Sequence, residues 1–211
     1  MKRTAIDAVE QSETDAAVGR YRLSEALETD EMAINHYRIP PGDGLPAGLH
    51  AHLDQEEVFV VLEGEATFET LPPRDGDGSG TAGGSADDGL PDEAGEVTVE
   101  AGEAIRVAPG EFQSGHNDAD EDLIVLALGA PPDSEDVRLP FSCPDCGHGA
   151  LRLDVGEDDL TFACPDCGAE HRPAPCLDCD GSDLEATLGE DRVVVACRDC
   201  GAAFDEPPLR D

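Results

Sequence analysis

Residues 44–64 read GLPAGLHAHLDQEEVFVVLEG. His50 and His52 are separated by one residue, so in an extended segment their imidazoles leave the same face. Glu57 follows at the head of the apolar run VFVVL. Two imidazoles and a carboxylate converging in one pocket are a common way to hold a divalent metal with open positions. Gly44 and Gly64 bracket the stretch where tight turns are required.

The spacing resembles the first motif of the cupin family: Gly, five residues, His-x-His, three or four residues, Glu, six residues, Gly. Glu57 gives the best register, and Glu56 is the neighbouring alternative. The second cupin motif is Gly, five residues, Pro-x-Gly, two residues, His, three residues, Asn. It is partly matched by GEAIRVAPGEFQSGHN at 102–117. Gly102, Gly110 and Asn117 fit, Ala108 stands at the proline, and Pro109 comes one place later. Gln113 stands at the last metal histidine. A Gln amide oxygen can ligate a metal, but more weakly and without charge. His116 replaces it only in a shifted or bulged strand. A shift would turn side chains to the other face, so His116 is read as a polar loop-end residue.

The resemblance covers about residues 30–130. It implies a jelly-roll barrel with one divalent metal (Fe, Mn, Ni or Zn) held by His50, His52, Glu57 and Gln113. It also implies dioxygenase, isomerase or epimerase chemistry without choosing among them, and a homodimer.

Outward from the motifs, strands are predicted at 32–39, 48–53, 57–63, 65–71, 96–100, 104–108 and 122–128. Many short strands between Gly/Pro turns, with almost no helix, predict an all-β antiparallel barrel or jelly roll. His36 sits on the first strand, as a partly buried or surface residue. Residues 1–29 read as an acidic lead-in, mobile over 1–20, with one helical turn at 24–28 and Ser24 as its candidate cap. The barrel spans 30–138. Residues 72–95, rich in Gly, Asp, Ser, Pro and Ala, predict a flexible insertion that cannot bury enough apolar surface to order itself.

All eight cysteines lie beyond 141, as four Cys-x-x-Cys pairs. Cys143, Cys146, Cys164 and Cys167 form one set, and Cys176, Cys179, Cys197 and Cys200 repeat it at an offset of 33 residues. Gly156-Glu157-Asp158 recurs as Gly189-Glu190-Asp191, and Ala163 recurs as Ala196. Each unit reads as knuckle, strand, turn, strand, knuckle. Two such knuckles brought together by a hairpin supply four thiolates in a tetrahedron, which suits Zn²⁺. Gly147, Gly168 and Gly201 follow second cysteines, whereas Asp180-Gly181 displaces the glycine by one. The units resemble tandem zinc ribbons, at 139–172 and 173–211, each with one structural Zn²⁺ as its folding energy. His148 and His171 are read as surface residues. Disulfides, a redox dithiol and an iron–sulfur centre fit less well.

The net charge is −36, and Lys2 is the single lysine beside twelve arginines. An acidic, lysine-poor surface on a chain with apolar strands resembles proteins adapted to molar salt, where charges are screened within a few ångströms. The acid opposes nucleic-acid and anionic-membrane partners. Residues 141–211 carry seventeen acidic and five basic side chains, which ranks nucleic acid last. The longest apolar run, 123–130, is too short to span a bilayer, and no secretory signal opens the chain. The expectation is a cytoplasmic protein. Two functions stand side by side: a metal enzyme acting on a small molecule, and a non-catalytic ligand-binding protein whose ribbons dock a protein partner.

Overall fold

The computed structural model describes residues 1–12, 17–74, 90, 93–156 and 160–210. After a 3-10 turn at Ile6–Ala8 the chain runs β1 (Gln11–Ser12), β2 (Gly19–Arg22), α1 (Leu23–Leu27), β3 (Ala33–Ile39), β4 (Ala51–His52) and β5 (Glu56–Glu63). It continues with β6 (Glu65–Leu71), β7 (Gly95–Glu100), β8 (Ala104–Val107), β9 (Phe112–His116), β10 (Leu123–Ala130) and β11 (Val137–Leu139). The cysteine half holds β12 (Leu151–Val155), β13 (Leu160–Ala163), β14 (Glu170–Pro173), β15 (Leu184–Leu188), β16 (Val193–Cys197), β17 (Ala203–Phe204) and β18 (Leu209–Arg210).

One barrel sheet has the order β1-β2-β3-β10-β5-β8, and facing it is β7-β6-β9. Single bridges from Gly44 to His116 and from His50 to Gln113 extend the second sheet towards β4. Alternation along β5 and β10 drives Phe59, Val61 and Val125 inward, where they meet Phe68, Ala66 and Val99. Phe59 and Phe68 pack with ring centroids 5.2 Å apart.

The N-terminal segment is part of this sheet. β2 pairs with β3 from Gly19 opposite Arg38 to Arg22 opposite Asn35, and β1 pairs with β2. α1 has Arg22 at its N-cap with no side-chain cap, so Ser24 does not cap it. Of the insertion expected at 72–95, residues 75–89, 91 and 92 lie outside the described residues. Glu157 and Asp158, from one copy of the repeated Gly-Glu-Asp turn, lie outside them too.

The four knuckles share one backbone. The N–H of Gly147, Gly168, Asp180 and Gly201 donates to the carbonyl of the first cysteine of its pair, at 2.8–3.0 Å. The three glycines take φ of +75° to +76°, and Asp180 takes +58° itself. Asp is one of the few non-glycine residues that tolerates this region, so the knuckle needs no displaced glycine.

The ribbons share a core with the barrel. Leu49, Ala51, Leu71 and Phe112 from the barrel pack with Leu139, Phe141, Leu151, Phe162, Ala186 and Val195. The sheet β18-β14-β13-β12-β11-β4 runs unbroken from the first ribbon to the strand that carries His52.

Candidate metal centre

His50 stands just before β4 and exchanges two backbone hydrogen bonds with Gln113 of β9, at 3.1 and 2.8 Å. His52 ends β4, opposite Val137 of β11. Glu57 comes from β5, opposite Val107 of β8. Three separate strand contacts therefore aim these side chains at one point. One ligand atom from each of His50, His52 and Glu57 lies within 4.8 Å of the others.

The finer geometry suits a cation. His50 Nδ1 lies 2.8 Å from the Gly48 carbonyl. A carbonyl only accepts, so Nδ1 carries the proton and Nε2 turns a lone pair inward. His50 Nε2 and His52 Nε2 are 3.2 Å apart, and His52 Nε2 is 3.7 Å from Glu57 Oε2. Ligands bound at about 2.0–2.1 Å and right angles lie about 3 Å apart. The donor set therefore fits a divalent ion with little rearrangement.

Burial shapes the protonation states. It pushes His50 below its ordinary value, and it brings His52 to about 4, helped by the neighbouring His50. It lifts Glu57 to about 7, against a hydrogen bond from Gln113 that lowers it. Gln113 Nε2 donates to Glu57 Oε2 at 3.2 Å, and Gln113 Oε1 is buried without a partner. Gln113 thus touches the carboxylate directly, and its free amide oxygen is the remaining donor at the site.

Glu56, the alternative carboxylate, faces outward and pairs with Arg106. His116 sits on the opposite face of β9 from Gln113. Its Nε2 lies 2.8 Å from Ser114 Oγ and 3.7 Å from Glu69 Oε2. The odd spacing between 113 and 116 places the two on different faces of one strand. His36 also faces away from the barrel interior, edge-on to Tyr21 at 5.7 Å.

The triad opens into a cavity of about 360 Å³ whose lining also includes Arg20, Asn35, Tyr37, Gln55 and Phe59. The sequence pattern marked none of these residues as site residues. Alternation along β3 carries a signal for Asn35 and Tyr37, because the faces of 35 and 37 are shared. Arg20 lies in the acidic segment expected to be a lead-in, where no alternating pattern points to it.

Both cysteine sets converge. The Sγ distances are 3.8 Å for Cys143–Cys167, 3.5 Å for Cys146–Cys164, and 3.7 Å for both Cys176–Cys200 and Cys179–Cys197. A tetrahedral ion with metal–sulfur bonds of about 2.3 Å sets its sulfurs about 3.8 Å apart. Sulfurs bonded to each other would be at about 2.05 Å, and all eight thiols are free. His171 and His148 are half-buried rather than on the surface. His171 Nε2 lies 3.8 Å from Cys143 Sγ and 3.5 Å from Asp145 Oδ2.

No family model matches the chain. No curated protein matches it. Among solved structures it is similar to a sugar phosphate isomerase from a cupin superfamily of Silicibacter pomeroyi, at 17% identity over 79% of this chain and 94% of that one, with a TM-score of 0.53. It is also similar to an uncharacterized conserved protein with a double-stranded β-helix domain from Klebsiella pneumoniae, at 18% identity over 64% and 93% of the two chains, TM-score 0.44. An oxalate decarboxylase from Lactobacillus farciminis, in complex with formate, aligns at 18% identity over 61% and 32%, TM-score 0.45. At these identities the likeness is one of fold. The chain is all-β, a cupin-type jelly-roll barrel followed by two small four-cysteine ribbon units. Among the described residues no helix is long and apolar enough to cross a membrane.

Proposed function

We propose that this chain binds one divalent metal through His50, His52 and Glu57, with Gln113 beside them, and uses it to hold and convert a small molecule in the barrel cavity. The observation that carries this reading is the convergence of two neutral imidazoles and a carboxylate, from separate strands, at the floor of that cavity. Bound there, the ion supplies a Lewis acid with coordination positions left open for a ligand. His50 is held in one tautomer by Gly48, and Gln113 orients Glu57. Isomerase- and dioxygenase-type reactions are the chemistries we assign first, and the neighbour named as a sugar phosphate isomerase fits the former. The two clusters of four cysteines hold structural zinc, since four thiolates at tetrahedral spacing favour it.

Elemental analysis tests the assignment. Protein purified without chelator carries two tightly held zinc equivalents and up to one further, labile divalent metal. His50→Ala combined with His52→Ala removes the labile metal and leaves both zinc equivalents. Fewer than two zinc equivalents in the wild type, or an unchanged total in the double variant, overturns the corresponding site. A screen of oxygen uptake and of sugar and keto-acid conversion, run in molar KCl to suit the acidic surface, then assigns the reaction.

A second reading has one observation in its favour. Leu177, inside the third knuckle, is 70% exposed. A large apolar side chain presented there suits a ribbon that docks a protein partner, with the barrel as a non-catalytic ligand sensor. A stable partner captured through the ribbons and lost in Leu177→Asp, together with no turnover under any metal, would select it.

A further inference from the structure

Arg20 is the one cation lining the cavity among the described residues. It comes from β2, which the register sets against β3 with Arg20 opposite Tyr37 and Arg22 opposite Asn35. Its guanidinium lies over the Tyr37 ring, 5.7 Å from the centroid. Its Nε donates to Asn35 Oδ1 at 3.1 Å.

What Arg20 lacks is as telling. The chain has 49 acidic and 13 basic residues, so a carboxylate is seldom far from an arginine. Arg38 pairs with Asp122, Arg106 with Glu56, Arg138 with Asp136 and Arg198 with Asp43. Arg20 has no carboxylate partner among the described residues. It is half-buried, and a neutral amide and an aromatic face fix its direction. Asn35 engages Nε only, which leaves the Nη donors for a planar or tetrahedral oxyanion.

We propose that Arg20 binds the anionic group, carboxylate or phosphate, of the small molecule whose other end reaches His50, His52 and Glu57. This rests on reading the barrel cavity as a small-molecule site. Two parallel N–H···O bonds from one guanidinium would give both affinity and orientation. The wall built by β2 and β3 would then select the ligand, while β4, β5 and β9 supply the metal donors. Repulsion by the chain's overall negative charge is screened within about 10 Å at 0.1 M salt, so a local cation decides recognition inside the cavity.

The test follows the Arg20 Nε–H and Asn35 side-chain amide signals by NMR in the full chain as purified, titrated separately with inorganic phosphate, acetate and glycerol. At least one anion shifts both signals saturably and glycerol does not. The tighter anion identifies the chemical class. Arg20→Gln weakens that binding at least about tenfold, the scale of one charge-assisted hydrogen bond. Arg20→Lys, which keeps the charge without the fork, falls in between and serves if Arg20→Gln folds poorly. The proposal is overturned if neither anion gives a saturable shift at Arg20, or if folded Arg20→Gln or Arg20→Lys binds as tightly as the wild type. Metal content of His52→Ala reads the metal assignment separately, so either idea can fail alone.

Discussion

The backbone N–H of Leu49 donates to the carbonyl of Ala186 at 2.8 Å, tying the segment before His50 to the second ribbon. Gly48, next to it, takes φ +60°, and a Cβ there would lie 2.8 Å from the Ala186 carbonyl oxygen and 2.9 Å from Glu185 Cβ. Gly48 also supplies the carbonyl that fixes the His50 tautomer. The second ribbon therefore braces the donor set from behind.

Gly48→Ala should separate the two surfaces. The left-handed conformation costs a non-glycine residue about 1–2 kcal/mol before any clash. Barrel-metal affinity should fall at least about tenfold, while any metal held by the four-cysteine clusters stays in place. Calorimetric metal titration checks this, and unchanged affinity would remove the bracing role. Cys197→Ser, which opens the second ribbon, should weaken the barrel site in the same direction.

Metal binding should follow pH through Glu57. With its carboxyl lifted to about 7, the group is protonated below that pH and the ion must displace the proton. Affinity rises about tenfold per pH unit up to about 7 and then levels. His52, at about 4, adds no slope in that range. Isothermal titration in buffers of differing ionisation heat should count about one proton released at pH 6. A flat profile between pH 5.5 and 7 would contradict the assignment of Glu57.

Gln113→His should tighten the barrel site by adding an imidazole where an unpartnered amide oxygen now sits. Gln113→Ala should loosen it by freeing Glu57 from its hydrogen-bond donor. Competition with a chelating dye measures both. Equal affinity in both variants would place Gln113 outside the site. His116→Ala is the matched control, since His116 lies on the other face of β9.

Leu151→Ala should destabilise the barrel as well as the ribbon. Leu151 is fully buried in the core that also holds Leu49 and Phe112. Removing such a side chain costs about 2–5 kcal/mol. Denaturant unfolding followed separately at Tyr37 and at the four-cysteine clusters should move both transitions together. A shift at the cysteine clusters alone would mean two independent cores.

The His116–Glu69 contact predicts a pH-dependent seam. The Glu69 carboxylate, 3.7 Å away, raises His116 above its ordinary value, with Glu185 and Asp118 acting in the same direction and burial opposing. The other Glu69 oxygen accepts from the backbone N–H of Leu188 at 3.1 Å and from the Thr187 hydroxyl, so the contact lies on the barrel–ribbon boundary. A raised histidine stabilises fully below 6.5 and loses that contribution as pH climbs through the raised value. The stability difference between wild type and His116→Ala should shrink over that rise. A constant difference from pH 5 to 9 would show that the charge contributes nothing.

The motif stretch 44–64 made the triad legible because a single-residue spacing on a strand is unambiguous. The knuckles were legible because thiol spacing survives any detail of packing. The register with Gly110 and Asn117 pointed to Gln113, whose amide lies 3.2 Å from Glu57. Arg20 was not legible, because an acidic, apolar-poor segment gives no pattern until a neighbouring strand pairs with it. Nor was the shared core. Leu49 and Ala51 face the ribbons only through tertiary contact, and nothing local in HAH reports what covers its other face.

The ladder that runs from β4 through β11 into the first ribbon limits how the molecule can be rebuilt. The cysteine half is not a cassette that could be moved intact to another host. Grafted alone from 141 onward, it would leave behind β11, the strand that closes its own sheet, and arrive with Leu151 and Phe162 uncovered. A working transplant would have to carry β11 and offer a strand in place of β4. Any host that does so inherits a surface built to steady a loop like Gly48-Leu49-His50.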